Sequence, residues 1–176
     1  MRALLIMVLG GWIVGTLLMA FVATQNFRTV DRLLSAPTPE FSRAIAPLPH
    51  DEARSVLRYL VSELNRLYFS AWGLAQLALG AAVVAASLGL RPLDRIVVTV
   101  AATIFVIVIA SLLISQALVP LGRSLDFVPH TPIPPALARF RTLHLAYTAL
   151  DLLKLTLCVW LLIRSTRQAN PVTMKH

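Results

Sequence analysis

The sequence is poor in charged residues and almost free of cysteine. Charged side chains make up 14% of the 176 residues, and the single cysteine, Cys158, lies inside a long apolar stretch. One cysteine excludes an intramolecular disulfide bond and any metal site built from several cysteines. The sequence also lacks the short motifs of metalloproteases, serine hydrolases and phosphate-binding loops, so we expect that the protein is not an enzyme.

Basic residues outnumber acidic residues, but they do not form a patch. The chain has 16 Lys and Arg against 8 Asp and Glu, and the basic residues stand mostly at the ends of apolar stretches. Binding of a nucleic acid would need a basic face or stripe. We therefore expect no nucleic-acid partner, and we interpret the positive charge as membrane-flanking.

Four long apolar stretches dominate the chain. They cover residues 3–24, 67–90, 96–119 and 143–163. Each is long enough for a helix, which rises about 1.5 Å per residue, to cross a hydrocarbon core about 30 Å thick. The sequence therefore predicts an all-α membrane protein in which residues 1–176 form one domain, a bundle of four transmembrane helices in a lipid bilayer.

The distribution of basic residues predicts the orientation of the chain in the membrane. They are dense in three short segments on one side and diluted over two longer loops on the other. The short segments contain Arg2, Arg91, Arg95, Arg164, Arg167 and Lys175. Because cytoplasmic loops carry an excess of Lys and Arg, we predict a multi-pass protein of the cell membrane with both termini in the cytoplasm.

The two outer loops share a design. The first contains Pro37, Pro39, Pro47 and Pro49, and the second contains Pro120, Pro129, Pro132, Pro134 and Pro135. Proline cannot continue a helix and favours extended neighbours, so both segments are predicted as ordered loops. Each is followed by an arginine-bearing helical extension on the outer side, and the first extension is predicted to begin near Asp51. Residues 165–176 are predicted to form a flexible tail.

Polar side chains within the apolar stretches are costly in lipid and indicate a candidate site. Asp151 and Lys154 share one face of the last span and are close enough to pair. Polar residues at a similar depth on all four spans give a candidate outer pocket: Gln25, Gln76, Gln116, His144, Tyr147, Asp151 and Lys154. The same groups could instead serve only as interhelical hydrogen bonds. A ligand of this pocket would be small and polar or cationic, because Asp151 is the deepest charge accessible from outside.

The pairing of Asp151 with Lys154 gives an expectation for folding. If the pair is structural, replacing Lys154 by Leu should harm folding more than replacing Asp151 by Leu. The reason is that an unpaired lysine can extend toward an interface, whereas an unpaired carboxylate can only take up a proton.

Three histidines are weak candidates for a metal or haem site. His50, His130 and His144 all lie on the outer side, and imidazoles can ligate haem or a metal. Their spacing matches no metal motif, so we expect no cofactor. In the first span Gly11 and Gly15 form a pattern that lets helices approach closely.

Two short motifs resemble a known family. Gly10, Gly11 and Trp12 stand in the first span, and Phe140-Arg-Thr-Leu-His144 leads into the last. In these motifs and in its whole layout the chain resembles the transmembrane-protein-205-like family, which consists of four-span proteins with a domain of unknown function. The resemblance implies the four-span architecture and no established reaction, substrate or cofactor.

Three functions are compatible with the sequence. The leading hypothesis is a non-catalytic integral membrane protein that associates with other membrane-protein subunits as an accessory or structural part of a larger complex. The first alternative is a small transporter or binder that uses the polar pocket around Asp151 and His144. The second alternative is a redox protein that binds haem or a metal through the outer histidines.

Overall fold

Helices account for the secondary structure of the protein. A computed structural model describes residues 1–128 and 132–169, and no strand occurs in these two ranges. A short helix, α2 (Pro39–Ile45), connects the first two long helices. Four helices are long and apolar enough to cross a membrane: α1 (Arg2–Ser35), α3 (His50–Leu88), α4 (Arg95–Arg123) and α5 (Pro135–Ala169). The predicted all-helical chain with four apolar candidate spans is therefore confirmed.

The four long helices form a closed ring. α1 packs against α3 and α5, and α4 packs against the same two helices. At one end, which we call the terminal end, Arg2 Nη1 donates a hydrogen bond of 2.6 Å to the backbone oxygen of Gln168. The α3–α4 turn lies at this end too. At the opposite, distal end, α1 and α4 finish and α3 and α5 begin, and this is the end predicted to face outward.

Buried residues recur along each helix at alternating spacings of three and four, as expected of a four-helix bundle. The apolar members of these rows form one core in the terminal half of the bundle. The rows are Leu5, Leu9, Trp12 and Thr16 on α1; Gln76, Gly80, Val83 and Ser87 on α3; Val97, Ala101, Ile104, Val108 and Ser111 on α4; and Lys154, Cys158, Leu161 and Ser165 on α5.

The structure differs from the predicted loop boundaries because α1 and α4 continue past their apolar stretches. α1 runs on to Ser35, and its added turns pack on α3. There Arg54 Nη2 donates to Asp31 Oδ1 at 3.0 Å, and the guanidinium carbon of Arg58 lies 5.8 Å from the ring centroid of Phe27. These contacts stabilise helical turns that carry no apolar run of their own.

Prolines also occur within helices in both predicted loops. Pro120 lies inside α4 near its end at Arg123, where it removes one backbone hydrogen bond without ending the helix. Pro39 occupies the first position of α2, where the missing N–H is harmless, and the hydroxyl of Thr38 accepts from the backbone N–H of Phe41 at 3.3 Å.

The remaining helix boundaries can be compared with the prediction directly. α3 begins at His50, one residue before the predicted start near Asp51, so this helical extension is confirmed. α5 continues to Ala169, so residues 165–169 are helical where a tail was predicted. Ser165 is buried there, which ties this turn to the bundle. Residues 129–131 and 170–176 lie outside the described part of the chain.

Asp94 joins α4 to α5 at the terminal end. Its Oδ1 caps α4 by accepting from the backbone N–H groups of Ile96 and Val97 at 3.0 and 3.2 Å. Its Oδ2 accepts from Gln168 Nε2 at 3.0 Å and from Arg164 Nη2 at 2.9 Å. The hydrogen bond from Gln168 and the contact with Arg164 lower the pKa of Asp94 from its ordinary value of 3.8 to about 2.

We expect Asp94→Ala to destabilise the protein by about 2 kcal/mol, because it removes a helix cap and charge-assisted hydrogen bonds. Asp94→Asn should cost less, because its amide oxygen can still cap α4. The pKa of Asp94 is lower in the folded state, so its stabilisation is fully present above pH 3.8 and is lost as the pH falls toward 2. Unfolding in mixed micelles across this range measures both effects. An Asp94→Asn variant with the acid sensitivity of the native protein would contradict the assignment.

Candidate functional site

A lysine is buried at the centre of the bundle. Lys154 on α5 is 2% exposed. Its Nζ donates to Oδ1 of Asp151, one turn earlier on α5, and to Oε1 of Gln76 on α3, the helix diagonally opposite in the ring. The indole Nε1 of Trp12 on α1 donates to the same Gln76 oxygen at 3.3 Å. Three helices thus meet in one hydrogen-bonded group, the central cluster (Trp12, Gln76, Asp151, Lys154).

The central cluster satisfies a charge that lies inside the predicted apolar span of α5. An ammonium group within the hydrocarbon region is costly unless it is paired and hydrogen-bonded. Asp151 supplies the opposite charge, and the ring of Trp12 lies 6.0 Å from Lys154 Nζ, within range of a cation–π interaction. The cluster therefore holds the helices together, and its buried donors and acceptors are directed at one another.

A cavity of about 870 Å³ lies at the distal end among the four long helices. We call it the distal cavity. Part of its wall lies within the predicted apolar spans and part lies beyond them, so the cavity has an apolar region and a polar region. Its wall includes Phe27 from α1; Arg58, Tyr59, Asn65, Arg66 and Phe69 from α3; Ser115, Leu118 and Asp126 from α4 and the segment after it; and Leu137, Phe140, His144 and Tyr147 from α5.

Charged groups of alternating sign connect the walls of the distal cavity. Arg66 on α3 donates through Nη1 to Glu63 and through Nη2 to Asp126 at 2.9 Å. Arg123 at the end of α4 donates to the same Glu63 through Nε and Nη2, both at 3.1 Å. These ion pairs fix the segment after α4 against α3. They also pair Arg66 and Asp126 of the cavity wall with charged groups of the protein itself.

Aromatic contacts complete the wall. The rings of Tyr59 and Phe127 lie 5.0 Å apart, and the ring of Phe140 stacks on His144 at 5.8 Å. Phe127 has a φ of 59°, a left-handed conformation that is unfavourable for an aromatic residue. Its contact with Tyr59 holds the segment after α4 over the cavity despite this backbone strain.

The structure divides the predicted outer pocket between two places. Gln76, Asp151 and Lys154 belong to the central cluster, whereas His144 and Tyr147 line the distal cavity. Of the seven residues predicted for one pocket, the distal cavity therefore contains His144 and Tyr147.

Gln25 and Gln116 belong to neither place. Gln116 is exposed on the surface of the bundle, because the inward row of α4 passes through Ser111 and Ser115, and Gln116 lies one residue farther around the helix. Gln25 is half-buried and lies outside the cavity wall, whose α1 members include Ala23 and Phe27. Both residues were predicted to face the pocket because they lie at a similar depth, but depth along a helix does not determine the direction of a side chain.

The two glycines predicted to support packing have different surroundings. A Cβ on Gly15 would lie 2.4 Å from the ring of Trp72, so the absence of a side chain there lets α1 approach α3. A Cβ on Gly11 would meet no atom within 4 Å, so Gly11 lies on the open surface of α1.

The predicted histidines do not meet in the described structure. His50 is exposed and lies beside Asp51, with 3.7 Å between Nδ1 and Oδ1. His144 stacks on Phe140, and His130 lies outside the described residues. Within residues 1–128 and 132–169 no group of three or more His, Cys, Asp or Glu side chains could hold a metal ion.

Sequence reasoning missed several residues of the two sites, including Trp12, Asn65, Arg66 and Asp126. Asn65 is buried and accepts a hydrogen bond of 2.7 Å from Asn26 Nδ2. A signal for it was present, because eleven residues, or about three helical turns, separate Asn65 from Gln76 and place both on one face of α3.

No family model, curated protein or solved structure matches this chain. The functional argument therefore depends on the geometry and chemistry of the sites themselves.

The burial of Lys154 reverses the expected effects of breaking its pair with Asp151. Lys154 is enclosed, whereas the side chain of Asp151 is 30% exposed, so an unpaired lysine could not reach an interface. We now expect Asp151→Leu to be more destabilising than Lys154→Leu, by about 1 kcal/mol or more, because it leaves an uncompensated buried charge. Unfolding in mixed micelles measures both variants. As a control, the double Leu variant should be more stable than Asp151→Leu alone, and equal stability of these two would contradict the argument.

Proposed function

We propose that this protein is a non-catalytic integral membrane protein that binds an amphipathic anion in the distal cavity. The observation that carries the proposal is the cavity itself, about 870 Å³ in volume and walled by all four long helices. Sites for small molecules in proteins commonly have volumes of about 300–1,000 Å³ and combine an apolar wall with a few polar groups.

The position of the wall residues supports an amphipathic ligand. Phe69 and Leu118 lie at the level of the predicted apolar spans, where the apolar part of a ligand would be accommodated. Arg58 and Asn65 lie beyond that level, on the part of α3 that precedes its span. A molecule with an apolar chain and a polar head would match both regions at once.

The charges in the wall support an anionic head. Asp126, the carboxylate of the wall, is paired with Arg66 at 2.9 Å. Arg58 forms no ion pair with any residue in the two described ranges, so its positive charge is available to a ligand. Asp151 is bound to Lys154 and is not part of the wall, which removes the reason for expecting a cationic ligand.

Three probes with the same alkyl chain test this proposal: dodecanoate, dodecylamine and dodecanol. Native mass spectrometry in a nonionic detergent should show preferential binding of dodecanoate. Arg58→Gln should weaken dodecanoate binding about ten-fold, because it removes a charge-assisted hydrogen bond. Arg28→Gln is the matched control, since Arg28 is exposed near the distal end of α1 but does not line the cavity.

A cavity-filling variant separates the role of the cavity from that of the charge. Ser115→Phe should reduce the binding of dodecanoate and dodecanol alike, because Ser115 lines the cavity. Equal losses for Arg58→Gln and Arg28→Gln, or a preference for dodecylamine, would refute the anionic ligand. Unchanged binding to a folded Ser115→Phe variant would refute the site.

A second candidate function is that of an accessory subunit in a larger membrane complex. The observation that favours it is the open surface around Gly10 and Gly11, where a Cβ would meet no atom within 4 Å. A helix of another membrane protein could approach α1 closely at such small residues.

The accessory role predicts that Gly11→Leu releases a membrane-protein partner. Gently solubilised native membranes would be separated by size, and the chain should migrate in a larger species that Gly11→Leu disrupts. Ala20→Leu serves as the control, because Ala20 is also exposed on α1 but points in a different direction. Migration of the native chain at the size of a single copy would count against this function.

A further inference from the structure

A second cavity, of about 610 Å³, lies at the terminal end of the bundle. Three guanidinium groups contribute to its wall: Arg2 at the start of α1, Arg95 at the start of α4 and Arg164 near the end of α5. We call it the terminal cavity. It is separated from the distal cavity by the length of the bundle, so a conclusion about it rests on the proposed membrane location but not on the ligand proposed for the distal cavity.

The charges of the terminal cavity do not balance among the described residues. Asp94 is the carboxylate of its wall, and its oxygens accept from Arg164, Gln168 and two backbone N–H groups. In the described part of the chain, Arg2 donates to two neutral acceptors of Gln168, the backbone oxygen at 2.6 Å and Oε1 at 3.2 Å. Arg95 is exposed and forms no ion pair within residues 1–128 and 132–169. Among residues 1–128 and 132–169, Arg2 and Arg95 therefore carry two positive charges that no carboxylate pairs with.

Apolar side chains adjoin these charges. Leu93 is 50% exposed and Ile96 is 53% exposed, and both belong to the wall of the terminal cavity. Ile96 is also the first residue of the apolar stretch of α4. A small anion in solution would gain nothing from these side chains, whereas the acyl chain of a lipid would cover them.

We propose that the terminal cavity binds the headgroup of an anionic phospholipid. Arg2 and Arg95 donate to the phosphate, because guanidinium groups form directed hydrogen bonds with phosphate oxygens. The acyl chain lies along Leu93 and Ile96. Basic pockets between transmembrane helices are suited to anionic headgroups, and the arginine distribution predicts that this end faces the cytoplasmic leaflet, where such lipids are abundant.

The test uses delipidated full-length protein in a nonionic detergent and measures lipid binding by native mass spectrometry. Phosphatidylglycerol should bind about ten-fold more tightly than phosphatidylcholine with the same acyl chains, because the choline ammonium opposes the arginines. Arg2→Gln/Arg95→Gln should weaken phosphatidylglycerol binding at least ten-fold, through the loss of charge-assisted hydrogen bonds. Arg139→Gln/Arg141→Gln changes the net charge equally at the distal end and should leave binding unchanged.

Two further variants distinguish a loss of binding from a folding defect, and a lipid phosphate from a free phosphate. Arg95→Gln alone should weaken phosphatidylglycerol binding severalfold without affecting the fold, because Arg95 is exposed and forms no ion pair with another helix in the described part of the chain. Ile96→Ser should weaken the binding of phosphatidylglycerol, whose acyl chain contacts Ile96. It should leave the binding of glycerol phosphate unchanged, because glycerol phosphate has no acyl chain. Equal losses in the two double variants, equal binding of phosphatidylcholine, or binding of inorganic phosphate as tight as that of the lipid would overturn the proposal.

Discussion

The buried ammonium group of Lys154 is the constraint on which the arrangement of the helices depends. In the hydrocarbon region a charge without partners is too costly to retain, so other helices must direct acceptors at it. Gln76 reaches Lys154 from the diagonally opposite helix, and Trp12 donates to the same amide oxygen from α1. One side chain thereby sets the rotation of α1, α3 and α5 about their own axes. α4 contributes no member to this cluster and packs through the buried row that begins at Val97.

The same helical rows change role along the bundle. On the terminal side of the central cluster they carry apolar residues that form the core, such as Val83 and Leu161. On the distal side they carry Asn65 and Tyr147, which line the distal cavity. For Asn65 the change follows from its position before the predicted span of α3, where water can solvate polar groups, whereas Tyr147 lies inside the predicted span of α5. The extensions of the four long helices beyond the predicted spans therefore build most of the cavity wall, and the outer ends of the spans complete it.

Local sequence predicted the fold well where a periodic pattern was present. The spans, the start of α3 and the shared face of Asp151 and Lys154 follow from apolar length and helical spacing. The direction of Gln116 could not be predicted, because α4 is apolar on all sides and its sequence contains no signal for the inward face. The extension of α1 was missed for a different reason. Its contacts join residues far apart in the chain, such as Asp31 with Arg54, and only the folded arrangement brings them together.

Ligands are expected at the two ends of the bundle rather than at its centre, because among the described residues only the cationic side chains at the ends are free to bind an anion. Lys154 is buried among the helices, so its charge must be neutralised within the protein, and it donates to Asp151 and Gln76. Arg58 and Arg95 lie outside the predicted apolar spans, where water can solvate a guanidinium group that forms no ion pair with the described residues. Such an arginine can exchange water for an anionic ligand without breaking an internal ion pair. A buried cation in this protein therefore indicates helix packing, whereas a boundary arginine without an ion pair in the described residues indicates a place where an anion can bind.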